Sequence, residues 1–255
     1  MKDDIATVAW KELSEVRAGP GGKGLRSTAP LVILMLFIAV VIPFSAGTAQ
    51  FGGLAVMSIG MLVAAMWVLT SVPDSFAGER DHRTLETLLA TRLPADAILA
   101  GKLLASVVVA ATLGGVAIVL SVIASDVGTV VHGGPGDPLS VPWLHVGLGV
   151  ALAVLVAFAL ANVGILVALR ASSSMVAMRE LGLGLAGIAM AVSFGLHALP
   201  AGARTDLTDV AVDAGHLGPW VLVTGAALVF VGLNLALFAA TRARFTRPKL
   251  VRPGG

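Results

Sequence analysis

Long apolar blocks separated by short polar connections dominate the sequence. Six blocks span residues 30–49, 54–72, 99–123, 143–169, 181–199 and 220–240. Each has about 20 residues or more, which as a helix crosses the ~30 Å hydrocarbon core of a bilayer and satisfies its own backbone polar groups there. The pattern predicts an all-α membrane protein with six transmembrane helices. A short uncharged turn around Gly47, Gly52 and Gly53 further predicts that the first two spans form a hairpin.

The composition excludes several other classes of protein. Hydrophobic residues make up 57% of the chain and charged residues 13%, with a mean hydropathy of +0.94. Soluble domains are about half apolar and a quarter charged, so a soluble fold cannot bury this much apolar surface. The net charge is only +2 and the basic residues form no stripe, which argues against a nucleic-acid partner. Because the chain has no cysteine, disulfides, thiolate metal sites and cysteine nucleophiles are excluded.

The positive charges predict the orientation of the chain. All of the 17 Lys and Arg residues except Arg204 lie before the first block, in or beside the second and fourth connections, or after the last block. Positive residues near the ends of spans are retained in the cytoplasm. We therefore expect a multi-pass protein of the plasma (inner) membrane with cytoplasmic N and C termini.

The N-terminal segment 1–28 contains a candidate amphipathic helix. Its apolar side chains fall on one arc, interrupted at the edge by Glu12, and charged residues lie off the arc. The members of the arc are Ile5, Val8, Ala9, Leu13 and Val16. With Trp10 as an interface anchor, the pattern predicts a helix that lies along the cytoplasmic leaflet. The alternative is a solvated tail.

The connection between the second and third spans is the most informative segment. Between Pro73 and Pro94 the sequence becomes rich in charge and then places leucines at helical spacing. These features predict a short helix across the membrane face, with a leucine ridge on which a partner can dock. The alternative is a solvated loop that only connects two spans.

The segment FAGERDHRTLETLLATRLPADAILAGKLLA, residues 76–105, resembles the signature of permease subunits of type-2 ATP-binding-cassette exporters. That family has an acidic-basic pair, then a Thr-Leu-Glu-x-Leu-Leu run, then a Pro before a Gly-Lys at the start of the third span. The matching residues are Glu79, Arg80, Thr84, Leu85, Glu86, Leu88, Leu89, Pro94, Gly101 and Lys102. Arg83 stands where the family commonly has Gly, and the pair Lys11–Glu12 is also similar to the family pattern.

The resemblance implies a permease subunit of an exporter, with a six-span domain at 29–241 and a basic cytoplasmic tail at 242–255. Segment 1–28 would be its connecting helix and 79–92 its coupling helix, with 170–180 as a lesser second contact. The ATPase-coupling residues would be Glu79, Arg80, Arg83, Thr84, Leu85, Glu86, Leu88 and Leu89. The implied partners are a cytoplasmic ABC ATPase subunit and a second permease copy, in a homo- or heterodimer.

The sequence predicts no catalytic or cofactor site of its own. Neither Gly22–Lys23 nor Gly101–Lys102 completes the Gly-x-x-x-x-Gly-Lys-Ser/Thr pattern of a P-loop, so ATP is expected on the partner subunit. The histidines lack the short spacings of a metal site, and no metal is predicted. We expect Asn162 and Asn234 to bond across helix contacts. The alternative function is a non-transport polytopic protein, such as a scaffold for an ATPase or a membrane enzyme.

Overall fold

A computed structural model describes residues 2–18, 29–50, 53–78, 93–133, 143–198 and 219–244, and these ranges are helical with short turns and no strand. The predicted all-α class is therefore confirmed. The elements are α1 (Lys2–Ala18), α2 (Ala29–Gln50), α3 (Gly53–Pro73), a π-helical segment (Asp74–Gly78), α4 (Ala95–His132), α5 (Trp143–Ala168), α6 (Ser174–Ala198) and α7 (Pro219–Arg244).

Five of the helical stretches are long and apolar enough to cross a membrane, as expected of a multi-pass membrane protein. They are Ala29–Thr48, Ala55–Gly78, Ala95–His132, Trp143–Ala168 and Ala227–Arg244. Large apolar side chains such as Phe37, Val108 and Leu235 lie exposed on them, which suits contact with lipid and not with water. Helix α6 covers the fifth predicted block but starts earlier, and its crossing of the membrane stays a prediction.

Helices α3, α4 and α5 form the centre of the bundle, and small residues let them approach closely. Ala153, Ala157 and Ala161 recur every fourth residue along α5 and are fully buried. Between α3 and α4, a Cβ added to Gly114 would lie 2.8 Å from the carbonyl oxygen of Gly60. The helices therefore pack with their backbones in near contact.

Helix α2 packs mainly along α4 and has little contact with α3, so the predicted hairpin of the first two spans is wrong. The reason is that residues on α4 make a hydrogen bond and a close backbone contact with α2. The Ser121 hydroxyl donates to the carbonyl oxygen of Ala39, 3.0 Å away. A side chain at Gly128 would collide with the backbone carbonyl of Phe44. For α2, adjacency in the chain did not decide which helix became its main neighbour.

The end of α2 is fixed to α4 by a pair of threonines. Gly47 adopts φ 64° and ψ 176°, a left-handed φ that glycine tolerates and that interrupts the helix. The freed N–H of Thr48 donates to Oγ1 of Thr129 over 2.7 Å, and the two hydroxyls lie 3.0 Å apart. Thr129 in turn donates to the carbonyl of Ser125 over 2.9 Å. The backbone N–H of Thr48 is therefore buried but still hydrogen-bonded, although the helix is interrupted there.

Candidate functional site: the Lys102 junction

The side chain of Lys102, near the start of α4, is buried with 2% of its surface exposed. Its Nζ lies 2.7 Å from Oε1 of Glu12 on α1 and 3.1 Å from the carbonyl oxygen of Ser75 in the π-helical segment. The ring centroid of Phe76 lies 5.5 Å from the same nitrogen, within cation–π range. We call these four residues the Lys102 junction. It ties together α1, the end of α3 and the start of α4.

The residue before Lys102 is what lets α1 reach it. A Cβ added to Gly101 would lie 2.6 Å from Cβ of Val8 and 3.1 Å from the carbonyl oxygen of Ile5. Val8 and Ala9 are themselves almost fully buried against α4. Only glycine at position 101 leaves room for this contact, so Gly101 positions α1 and Lys102 then holds it by charge.

The apolar arc predicted in α1 is the side that packs against α4, since Val8 and Ala9 are buried and Ile5, Leu13 and Val16 are half-buried. Trp10 is on the other side with 68% of its surface exposed. Glu12, which interrupts the arc in the sequence, lies over Lys102. Glu12, the charged residue that interrupts the apolar arc, is therefore the residue of α1 that forms the ion pair with Lys102.

Glu12 is shared between two cations. Besides Lys102, the Nζ of Lys11 lies 3.6 Å from Oε1 of Glu12 and 3.1 Å from Oε1 of Glu15. Lys11 has 47% of its side chain exposed, so water screens its contacts and they stabilise little. Lys102 is out of water, and loss of its carboxylate partner would leave a buried charge uncompensated. The Lys102–Glu12 bond is thus the strong link of the charge network.

A second ion pair joins the same end of the bundle. Arg242, in the last turn of α7, places Nη2 2.7 Å from Oδ2 of Asp96 and Nε 3.2 Å from Oδ1, in a bidentate arrangement. Asp96 belongs to the first turn of α4, where the helix dipole also favours a negative charge. Through Lys102 and Asp96, the first two turns of α4 therefore bind α1, the end of α3 and the end of α7.

The predicted ATPase-coupling residues lie outside the described residues, as does the rest of 79–92. They are Glu79, Arg80, Arg83, Thr84, Leu85, Glu86, Leu88 and Leu89. The described chain stops at Gly78 and resumes at Leu93. Ser75 and Phe76 stand just before this segment, and α4 begins just after it. The junction therefore holds both flanks of the predicted coupling helix.

The other polar residues singled out from the sequence take simpler roles. Asn162 and Asn234 each donate Nδ2 to a carbonyl one turn earlier in the same helix, over 2.8 Å, and not across a helix contact as predicted. Nδ1 of His132 lies 2.8 Å from the carbonyl oxygen of Gly128. Among the described residues, His, Asp and Glu side chains form no cluster of metal-site size.

The sequence indicates both halves of the junction but not that they meet. Lys11–Glu12 and Gly101–Lys102 resemble one family's pattern as two separate motifs. A lysine inside an apolar block, however, requires a nearby anion. Glu12, as the acid that breaks an apolar arc, was the signal for that partner. No family model matches the sequence, and no curated protein matches it.

Proposed function

We propose that this chain is the membrane-spanning permease subunit of an ATP-binding-cassette exporter, with six spans and both termini in the cytoplasm. The observation that carries the proposal is the Lys102 junction. It brings together Lys102 and Glu12, which are 90 positions apart and belong to the two separate motifs that resemble that family. Any lysine inside an apolar block needs an anion nearby, so the support comes from the fact that both partners belong to motifs that resemble the same family.

The proposed mechanism begins at segment 79–92, which would act as the coupling helix seated on a separate cytoplasmic ATPase. Closure of the ATPase pair around ATP would push this segment as a rigid body. The segment is preceded by the π-helical segment that contains Phe76 and followed by the start of α4. Its movement would therefore be passed to α3 and α4 in the centre of the bundle. Helix α1 would follow, since Glu12 is bonded to Lys102.

The translocation path would form with a second permease copy, identical or related, and would alternate between inward-facing and outward-facing states. This chain would not hydrolyse ATP itself, and ATP would bind to the partner subunit. The end of the bundle where α1, the start of α4 and the end of α7 meet is rich in basic residues, which supports a cytoplasmic location for it. These residues are Lys2, Lys11, Lys102 and Arg242.

The test is to express the chain with an ABC ATPase encoded beside it, purify the complex in mild detergent and reconstitute it. The ATPase is expected to co-purify, and Glu79→Ala or Leu88→Ala should lower transport per ATP hydrolysed without preventing assembly. Thr87→Ala, a substitution in the same segment but outside the predicted docking residues, is the matched control and should transport normally.

Two results would contradict the proposal. One is wild-type coupling in both the Glu79→Ala and Leu88→Ala complexes. The other concerns topology and exploits the absence of natural cysteine. A single cysteine at Thr87 should be protected from a membrane-impermeant maleimide added outside intact cells. Rapid labelling from outside would place the segment on the wrong face for any ATPase.

A further inference from the structure

Helix α2 contains two breaks in its backbone hydrogen bonding, both towards its C-terminal end. Pro43 lies inside the helix and has no backbone N–H, so the carbonyl oxygen of Ala39, four residues earlier, lacks its usual donor. Gly47 has a non-helical backbone, and the N–H of Thr48 donates outside α2, to Oγ1 of Thr129. A membrane helix tolerates such breaks where a neighbouring helix satisfies the freed backbone groups.

Helix α4 supplies hydroxyl groups at the matching positions. Ser121, Ser125 and Thr129 are spaced four residues apart along one side of α4 and are all buried, and we call them the hydroxyl ridge. The Ser121 hydroxyl lies 3.0 Å from the carbonyl oxygen of Ala39 and 2.7 Å from that of the residue four positions earlier in α4, so the two carbonyls share its proton. The carbonyl that Pro43 leaves without a donor therefore regains one from α4.

The backbone of α2 lies very close to the hydroxyl ridge. A side chain at Gly128 would collide with the carbonyl of Phe44, and a Cβ at Gly47 would lie 3.1 Å from Oγ1 of Thr129. Because both glycines lack a side chain, the freed backbone groups of α2 reach the hydroxyls directly. A shift of α2 along α4 by one turn would break both bonds, so the ridge also fixes the register of the two helices.

We propose that residues 43–48 form a joint in α2 and that Ser121 and Thr129 of α4 lock this joint. A helix that lacks its own hydrogen bonds at a proline and a glycine bends more readily there than a regular helix. The two hydroxyls replace the missing bonds from outside, so the joint keeps one conformation only while α2 lies on α4. The C-terminal end of α2 is therefore positioned by α4 and not by the rest of α2.

The first test is a double-mutant cycle on Pro43 and Ser121, measured as the unfolding equilibrium constant of the full chain in mixed detergent micelles. Ser121→Ala should raise this constant roughly five- to tenfold, because the carbonyl of Ala39 stays buried without a donor. In the Pro43→Ala background the new N–H of residue 43 supplies that donor, so Ser121→Ala should change the constant by less than about twofold. Pro43→Val supplies the same N–H with a larger side chain and replaces Pro43→Ala if the alanine variant does not fold.

Ser125→Ala is the matched control for this cycle. Its hydroxyl belongs to the same ridge but donates to the carbonyl oxygen of Val122 in its own helix, 2.9 Å away. Its effect should therefore be the same whether residue 43 is proline or alanine. An equal effect of Ser121→Ala in both backgrounds, or an equal dependence of Ser125→Ala on residue 43, would overturn the lock at Ser121.

The second test measures whether the lock fixes the conformation of the joint. Spin labels are attached to Ser45→Cys on the joint and Val130→Cys on α4, both at exposed positions, in the otherwise cysteine-free chain. In lipid vesicles the parent should give one narrow distance distribution, and Thr129→Val should add a second, longer distance. Thr112→Val, which loses only a bond within α4, should leave the distribution unchanged. A Thr129→Val distribution as narrow as that of the parent, or an equal change in Thr112→Val, would overturn the joint.

Discussion

Replacement of Lys102 by methionine is the most direct test of the junction. Methionine keeps an unbranched chain of similar length but removes the ammonium group. The variant therefore loses the 2.7 Å bond to Glu12, the 3.1 Å bond to the carbonyl of Ser75 and the cation–π contact with Phe76 at once. The consequence should be the release of α1 from α4, with the bundle itself retained.

The size of the effect follows from burial. Breaking a buried ion pair costs about 3–5 kcal/mol because one charge remains without a partner. Glu12 is 12% exposed and keeps Lys11 at 3.6 Å, so part of its charge stays compensated. We therefore expect Lys102→Met to weaken the docking of α1 on α4 by about 2 kcal/mol of free energy. This loss corresponds to a roughly 30-fold rise in the population of undocked α1.

The assay uses a single cysteine at Ala9, which is 6% exposed in the docked helix. Maleimide can reach this position only when α1 leaves α4, so the labelling rate reports the undocked fraction. Lys102→Met should raise that rate about 30-fold relative to the parent. Lys11→Met is the matched control, because Lys11 is the exposed lysine of the same network, and its labelling rate should stay close to the parent rate.

A labelling rate for Lys102→Met within twofold of the parent, under conditions where the bundle stays folded, would refute the reasoning. It would mean that apolar packing by Val8 and Ala9 alone holds α1 in place. Glu12→Gln separates the two partners, because it leaves the ammonium group of Lys102 buried with a neutral amide in place of the carboxylate. Its effect should therefore be at least as large as that of Lys102→Met.

Two further predictions use the same approach of matched pairs. Gly101→Ala should raise the labelling rate in the same assay, because its new Cβ would lie 2.6 Å from the nearest side chain of α1, whereas Gly115→Ala meets its nearest side chain at 3.8 Å and should not. Thr129→Val removes the acceptor of the Thr48 amide and should lower the free energy of unfolding by about 2 kcal/mol. Thr112→Val loses only an exposed bond within its own helix and should unfold in denaturant like the parent, so equal losses in both variants would contradict the role assigned to Thr129.

The candidate site was predictable in its parts but not in its assembly. The resemblance pointed to Lys11–Glu12 and Gly101–Lys102, and the structure joins Glu12 to Lys102 in one buried bond. The ion pair of Arg242 and Asp96 had no signal in the sequence, because single charges at helix ends are common and the two residues lie far apart along the chain. The eight coupling residues predicted from the motif lie outside the described residues and stay a prediction.

The sequence by itself determined the helical class and the apolar stretches, because hydropathy and helical spacing are properties of neighbouring residues in the chain. Which helices became neighbours was decided only in three dimensions. All apolar helices are equally compatible with lipid, so the choice depends on close fits such as Gly128 beside Phe44 and on hydrogen bonds such as Thr48 to Thr129. For that reason α2 lies along α4 and not along α3, and α1 is fixed by a lysine 90 positions away from its partner.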